Sequence, residues 1–230
     1  MEDYNIMEEK NRSKGPVSVL PMAAAALAML LLILAMLLTV FWAVIYGDSK
    51  YRFYEKEYEK YRVTESLGMK LEDVMEVTDH MMAYMIGEEE ELSIVTDVDG
   101  QTQDFFNEQD RLHMADVRNL FLGGLKLRNL CAAAAVLLIA GLIAAKTDWK
   151  RLLPRAYFWA VGILLAAAAL LAAAFSVDFT RCFTIFHEIF FTNDLWMFNP
   201  SEDYMIRMLP EGFFFDMTVR IGLTFVGVLL

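Results

Sequence analysis

Residues 17–46 read VSVLPMAAAALAMLLLILAMLLTVFWAVIY and contain no charged side chain. A helix needs about 20 apolar residues to cross the hydrocarbon core of a bilayer, so this stretch predicts a membrane-spanning helix at residues 17–47. Lys10, Arg12 and Lys14 precede it, as basic residues precede the apolar part of a secretory signal. The apolar run far exceeds the roughly 7–15 apolar residues of a signal sequence, which favours an anchor that stays in the protein.

Three further apolar segments follow along the chain, at residues 127–146, 153–175 and 213–230. Together with the first they predict an α-helical membrane protein built as a four-transmembrane-helix bundle. The second and third segments are rich in Ala and contain Gly, and small residues let membrane helices approach closely. We therefore expect these two spans to pack together. The last segment is slightly short for a crossing and carries two charges, which leaves open whether this span is complete.

The composition agrees with this division of the chain. The 230 residues carry a formal net charge of −11, yet 57% of them are hydrophobic. An ordinary soluble domain has about 45–50% apolar residues, so the charge and the apolar side chains must occupy different stretches. The apolar excess excludes a disordered chain, and the lack of a basic stripe argues against nucleic-acid binding. Two cysteines, Cys131 and Cys182, cannot form a disulfide framework.

The basic residues predict which way the chain crosses the membrane. The turn at residues 147–152 is short and basic, and such loops stay in the cytoplasm. The N-terminal segment, residues 1–16, carries basic residues close to the first span and is predicted to be cytoplasmic as well. The connections at residues 48–126 and 176–212 then lie outside, and both chain ends lie inside.

The longer outer connection contains signals for short elements. Residues 67–86 place apolar side chains at helical spacing, which predicts an amphipathic helix. Asp99-Gly100 is a turn signal between two strand-like runs and predicts a hairpin within residues 92–106. Asn107 is a typical N-cap for a helix that continues into the second span. We therefore expect a small extracytoplasmic part that is mostly helical and includes a β-hairpin.

The chain has three histidines, and two of them lie beside predicted span ends. His113 shares a helical face with Asp110 and Asp116, because residues three apart on a helix are neighbours. A carboxylate beside an imidazole orients the ring and favours its charged form, which suits acid–base chemistry. A plain salt-bridged helix face is the alternative. His80 lies in the amphipathic helix and is interpreted as a structural or surface residue.

His187 lies in an aromatic stretch just after the third span, where polar groups near the bilayer tend to be functional. Several candidate site residues follow it in the sequence: Glu188, Asn193, Asp194, Trp196, Asp203 and Glu211. The two histidines could meet at the mouth of the bundle, and the sequence leaves this open. In the fourth span, Asp216 and Arg220 are four residues apart, which predicts a mutually neutralising pair, with contact to a lipid headgroup as the alternative.

Other catalytic motifs are missing from the sequence. The histidines show no H-x-x-x-H or H-E-x-x-H spacing, so no metal site is predicted. There is no nucleophile elbow, P-loop or dinucleotide-binding glycine motif either. Cys131 lies inside an apolar helix, where a thiol is inert.

Two longer motifs resemble the signatures of a known family. Residues 106–117 read FNEQDRLHMADV and are similar to the E-x-x-H-M-x-D-V signature of a four-span bacterial membrane family, that of the lipoprotein intramolecular transacylases (Lit). Residues 186–196 read FHEIFFTNDLW and, with Asp203 and the LPEGFF motif at residues 209–214, resemble its second signature. The order of spans and loops also matches over almost the whole chain. Asp110 departs from the pattern, which usually has Glu there.

The resemblance implies an acyl transfer within one substrate. Lit-type enzymes move the sn-2 acyl chain of an S-diacylglyceryl cysteine to the α-amino group of that cysteine. The ammonium must lose a proton and the glyceryl oxygen must gain one, so His113 and His187 are the implied base and acid pair, with the assignment between them open. Asn193 and Trp196 are candidate donors to the oxyanion. The full set of supporting or orienting residues is Asp110, Asp116, Glu188, Asn193, Asp194 and Trp196.

The same resemblance implies the partners and the location. The substrate would be a diacylglyceryl-modified lipoprotein in the bacterial cytoplasmic membrane, processed at the extracytoplasmic face. No cofactor, metal, nucleic acid or obligate protein partner is implied, and membrane lipid is the remaining contact. Contacts to substrate or lipid are predicted for Asp203, Glu211, Asp216 and Arg220.

Two other functions compete with the transacylase. One is a non-enzymatic multi-pass membrane protein, a scaffold or accessory subunit whose outer loop binds a partner. The other is a metal-dependent membrane hydrolase that uses the same histidines. The distance between the rings of His113 and His187 is the observation that bears most directly on this choice.

Overall fold

The computed structural model describes residues 19–230. The predicted cytoplasmic segment 1–16, with Lys10, Arg12 and Lys14, lies outside the described residues. The elements of the described part follow in this order: α1 (Val19–Tyr46), α2 (Arg52–Lys60), α3 (Val63–Leu67), α4 (Leu71–Ile86), β1 (Val95–Val98), β2 (Gln101–Asp104), α5 (Glu108–Ala144), α6 (Trp149–Val177), α7 (Phe179–Phe190), α8 (Tyr204–Met208) and α9 (Glu211–Leu229).

Four of these helices, α1, α5, α6 and α9, are long and apolar enough to cross a membrane, which confirms the predicted bundle. Helix α5 begins at Glu108, directly after the predicted N-cap Asn107, and continues without a break through the predicted span at residues 127–146. With 37 residues, α5 is about 55 Å long, well beyond the roughly 30 Å of a hydrocarbon core. Its first turns, which carry His113, therefore extend beyond the apolar layer.

Helix α1 is the centre of the bundle. It packs against α5 and α6 and also contacts α9. Ile33 and Val40 of α1 share a buried cluster with Ala160 of α6. Helices α5 and α6 contact one another only marginally, so the expectation that the second and third spans pack together is wrong. The glycines that suggested this packing, Gly141 and Gly162, face open space, where an added Cβ would meet no neighbouring atom.

A second core, rich in aromatic residues and methionine, lies outside the bundle and joins the short elements. Tyr58 of α2, Val77 of α4, Phe106 after β2, Met208 of α8 and Phe213 of α9 are all buried in it. The apolar face of α4 is buried in this core, which agrees with the predicted amphipathic helix. The core therefore ties the two long connections, between α1 and α5 and between α6 and α9, to the start of the fourth span.

The predicted hairpin is present. Strands β1 and β2 pair antiparallel around a two-residue turn at Asp99 and Gly100, both with positive φ, as the tight hairpin turn requires. Arg207 of α8 donates to the Asp99 carboxylate at 2.9 Å, which joins the two long connections. His80 is held in a structural role, since its Nε2 lies 3.1 Å from the carbonyl of Glu91.

The outer core generates a prediction about stability. The hydroxyls of Thr78 and Tyr58 lie 2.7 Å apart and both side chains are fully buried. The substitution Thr78→Val leaves the Tyr58 hydroxyl buried without that partner, and we expect it to lower the free energy of unfolding by about 1–3 kcal/mol. Chemical unfolding of the detergent-solubilised protein measures this loss.

The double variant Tyr58→Phe, Thr78→Val is the control. It removes both hydroxyls together, so no buried group is stranded and part of the lost stability should return. A double variant that is less stable than Thr78→Val alone would contradict this account of the pair.

Candidate active site

The first turn of α5 places His113. Asn107 and Asp110 form a capping box, in which Asn107 Oδ1 accepts from the Asp110 N–H at 2.9 Å and Asp110 Oδ2 accepts from the Asn107 N–H at 3.0 Å. The box satisfies amide groups that a helix start leaves free and fixes where α5 begins. His113 follows one turn later and is only 5% exposed.

Helix α7 places His187, which is 8% exposed. Its Nδ1 lies 2.8 Å from the carbonyl oxygen of Phe183, four residues earlier on the same helix. A carbonyl only accepts, so Nδ1 carries the proton and Nε2 of the neutral ring keeps a free lone pair. Burial lowers the pKa of His187 below its ordinary value, and the hydrogen bond to Phe183 opposes this in part. The ring is therefore neutral at pH 7, with Nε2 ready to accept a proton.

The two histidine rings meet. Their centroids lie 6.0 Å apart and the planes are inclined by 28°. Phe191 contacts both rings, Phe198 packs edge-on to His113 at 5.3 Å, and Trp196 stacks on His187 at 4.9 Å. Aromatic side chains thus surround the pair and exclude water from much of it. The sequence left this meeting open, and the tertiary structure brings it about.

Asp110 does not touch His113 in the way that the sequence suggested. One of its oxygens belongs to the capping box, while Asp110 Oδ1 and His113 Nδ1 are each buried without a hydrogen-bond partner among residues 19–230. The carboxylate therefore positions His113 through the start of the helix rather than by a direct bond.

Asp203 is a structural anchor. It is 4% exposed, and its two oxygens accept from Asn107 Nδ2 and from the Asn199 N–H, each at 2.6 Å. Asn107 begins α5, and Asn199 ends the loop that carries Trp196. The hydrogen bonds of Asp203 within the protein give it a structural role, and its contact with substrate or lipid stays a prediction.

A polar cavity of about 270 Å³ is lined by Phe191, the residue that contacts both histidine rings, while neither histidine lines the cavity itself. It lies between α5 and the end of α7, and Asp116, one turn beyond His113, lines it together with Asn193. Asn193 Nδ2 donates to Asp116 Oδ2 at 2.9 Å. The remaining lining residues are Asn119, Leu120, Phe190 and Thr192. The cavity therefore combines one carboxylate with amide, hydroxyl and apolar groups.

The other predicted site residues lie further away or make different contacts. Glu188 and Asp194 are exposed, outside the aromatic enclosure of the histidines. Glu211 accepts from the Thr180 hydroxyl at 2.6 Å, which links the start of α9 to α7. Within residues 19–230, no group of three His, Cys, Asp or Glu side chains is arranged to hold a metal ion.

The predicted pairing of Asp216 with Arg220 is wrong. Asp216 instead forms an ion pair with Lys60 and accepts from the Tyr61 hydroxyl at 2.6 Å. Arg220 lies over the ring of Phe53, 4.6 Å from its centroid. The tertiary fold brings α2 beside α9, so partners distant in the sequence displace the local one.

Several positioning residues were not predicted. The Phe183 carbonyl fixes the tautomer of His187, and the only sequence signal for it is the four-residue spacing. Gln109 donates to the carbonyls of Leu195 and Met197, at 3.0 and 3.1 Å, and so holds the backbone on either side of Trp196. Phe198 was overlooked because nothing in the local sequence distinguishes an enclosing ring from a core ring.

Comparisons with known proteins agree on one family. The family model described as lipoprotein intramolecular transacylase Lit matches residues 26–214. No curated protein matches the chain at a significant level. The in meso structure of the membrane integral lipoprotein intramolecular transacylase Lit from Bacillus cereus is similar, with 20% identity and a TM-score of 0.69, over 90% of this chain and 88% of that chain.

Structures of two variants of the Bacillus cereus protein, with a histidine replaced by arginine or by alanine, are also similar. Each is 19% identical to this chain, with a TM-score of 0.65. The match covers 99% of this chain in both cases, and 91% of the arginine variant and 92% of the alanine variant. Likeness at this level of identity establishes the shared membrane fold.

The hydrogen bonds of Asp203 generate a second prediction. Replacing Asp203 by Asn exchanges one acceptor oxygen for an NH₂ group, which cannot accept from Asn107 or Asn199. We expect a loss of about 1.5–3 kcal/mol in the free energy of unfolding and faster proteolysis within residues 192–203. The matched control is Asp194→Asn, an exposed position of the same loop, which should leave both unchanged. Equal behaviour of the two variants would refute the anchoring role.

Proposed function

Because the chain belongs to the family of lipoprotein intramolecular transacylases, Lit, we propose that it moves the sn-2 acyl chain of a diacylglyceryl-modified lipoprotein to the α-amino group of its N-terminal cysteine. The observation that carries the proposal for this chain is the meeting of two buried histidines, His113 and His187, beside a polar cavity. Two proton carriers at one place are what this reaction requires. A scaffold has no need of such a pair.

The reaction balances without a co-reactant. The amine nitrogen attacks the ester carbonyl carbon, the new C–N bond forms, and the C–O bond to the glyceryl group breaks. One proton leaves the ammonium before attack and one proton returns to the departing glyceryl oxygen. Donor and acceptor belong to one molecule, so holding them together supplies much of the rate.

His187 is the better candidate for the base. Its Nδ1 proton is committed to the Phe183 carbonyl, which leaves Nε2 as the acceptor. His113, 6.0 Å away between ring centroids, is the second proton carrier. Burial and the neighbouring His187 lower the pKa of His113, so this ring is also neutral at pH 7 and brings no extra proton. The proton that His187 takes from the ammonium therefore passes by way of His113 to the departing glyceryl oxygen, which returns both rings to the neutral state. A reacting group can contact both rings from one side, because a separation of 6.0 Å between ring centroids is too short to hold a further group between them.

The polar cavity suits the cysteine amine. The carboxylate of Asp116 offers an opposite charge to the α-ammonium, and Asn193 fixes that carboxylate by its hydrogen bond. Asn193 also accepts from the Leu195 N–H at 3.2 Å, so both ends of its amide are engaged. Of the two candidate oxyanion donors, Trp196, which stacks on His187, is therefore better placed than Asn193.

The acyl chain can approach from the bilayer. Leu120 and Phe190 form an apolar side of the cavity, and Gly123, one turn after Leu120, faces open space. Leu127 continues the same face of α5 and is 44% exposed. Because α5 and α6 scarcely touch, this face is open to lipid, and a membrane-held substrate can enter sideways.

We place the protein in the bacterial cytoplasmic membrane, with the histidine pair at the extracytoplasmic face and both chain ends inside. The support is the basic turn between α5 and α6, which lies at the opposite end of the bundle from His187 and belongs in the cytoplasm. The substrate is a lipid-modified protein held in the outer leaflet.

The histidine pair generates a direct test. His113→Ala and His187→Ala should each reduce formation of the N-acyl, monoacylglyceryl lipoprotein by at least about 10²-fold, the typical contribution of a general acid or base. Mass spectrometry of lipoprotein N-termini, in cells that produce each variant, measures the product. His80→Ala, at the structural histidine, is the matched control and should retain activity. Unchanged N-termini in cells with and without the wild-type protein would favour the scaffold function.

The buried base also predicts a pH dependence. The pKa of His187 lies below the usual 6.5, so the ring is neutral and active above that value. The rate at saturating substrate should therefore stay level from pH 7.5 down to about 6.5 and decline at lower pH as the ring gains a proton. An acid limb centred above pH 6.5 would contradict the assignment of His187 as base.

A further inference from the structure

A second cavity lies at the other end of the bundle from the histidine pair. It has a volume of about 520 Å³ and lies between α1 and the first turns of α6. Helix α6 has 29 residues and is about 40 Å long, and His187 follows its far end. The cavity is therefore separate from the candidate active site.

The cavity is an apolar and aromatic groove with one charged residue, Lys150, in its lining. The Lys150 ammonium lies 5.6 Å from the centroid of the Trp149 ring. From Trp149 to Phe158 the groove follows α6 for about 14 Å. Its apolar lining residues are Met29, Trp149, Leu153, Pro154, Tyr157 and Phe158. Trp and Tyr are typical of the boundary between lipid and water, which places the groove mouth at that level.

Positive charge surrounds the mouth of the groove. Lys146, Lys150, Arg151 and Arg155 are all exposed. Among residues 19–230, none of them forms an ion pair. Asp148 supplies the one carboxylate in this turn, so a net positive charge faces the headgroup layer. Basic pockets between membrane helices on the cytoplasmic side favour anionic lipid headgroups.

We propose that this groove binds an anionic phospholipid. Its phosphate pairs with the Lys150 ammonium at the mouth of the groove, and one acyl chain lies along the aromatic wall of α6 against Met29 of α1. The bound lipid fills the space between α1 and α6 and supports their packing on the cytoplasmic side. This site is independent of the proposed acyl transfer, because it touches none of the residues assigned to that reaction.

Trp149 provides a reporter for the test. The full-length protein is reconstituted in vesicles of phosphatidylcholine that contain an equal mole fraction of either brominated phosphatidylglycerol or brominated phosphatidylcholine. The fluorescence quenched in the wild type but not in Trp149→Phe measures the lipid at the groove. We expect about a fivefold preference for phosphatidylglycerol, the factor that one basic side chain near an anionic membrane surface is worth.

Single-charge variants separate the groove from general surface charge. Lys150→Gln should abolish the preference, whereas Lys50→Gln, an exposed lysine at the opposite end of α1, should retain it. Equal quenching of Trp149 by the two lipids, or a preference that survives Lys150→Gln, would overturn the proposal. So would a Trp149 signal that neither lipid quenches, since it would mean that protein covers the groove.

Discussion

A bilayer offers no water to the backbone, so every N–H and C=O within it must find a partner inside the chain. This constraint determines most of the molecule. It keeps α1, α5, α6 and α9 as continuous helices and sends the turns and the polar chemistry to their ends. Helix α1 packs against the other three, so its apolar surface provides the contacts that a hydrophobic core provides in a soluble protein.

At the end of the bundle that carries the two histidines, the hydrogen bonds of Asp203 organise the candidate active site. Asp203 accepts from Asn107, which starts the helix of His113, and from Asn199, which ends the loop of Trp196 and Phe198. One buried carboxylate thus connects the two segments that carry the histidines and the rings around them. Burying a carboxylate costs free energy unless its oxygens are hydrogen-bonded, and Asp203 receives hydrogen bonds from both segments.

The two ends of the bundle differ in chemistry because they face different surroundings. The histidine end excludes water with aromatic side chains and contains an acidic polar cavity. The other end is basic and carries an apolar groove between α1 and α6. Net charge alone does not reveal this division, because the total of −11 averages over both ends and over the outer loops.

The sequence by itself determined the four membrane helices, the hairpin turn at Asp99-Gly100 and the cap at Asn107, since each follows from local composition, periodicity or turn chemistry. It also selected His113 and His187, which stand where polar and apolar stretches join. Only the tertiary structure decided that their rings meet, that Asp203 is an anchor and that Asp216 pairs with Lys60 rather than with Arg220. The reason is physical: these contacts join segments far apart in the sequence, and no local pattern records which distant group will satisfy a buried charge.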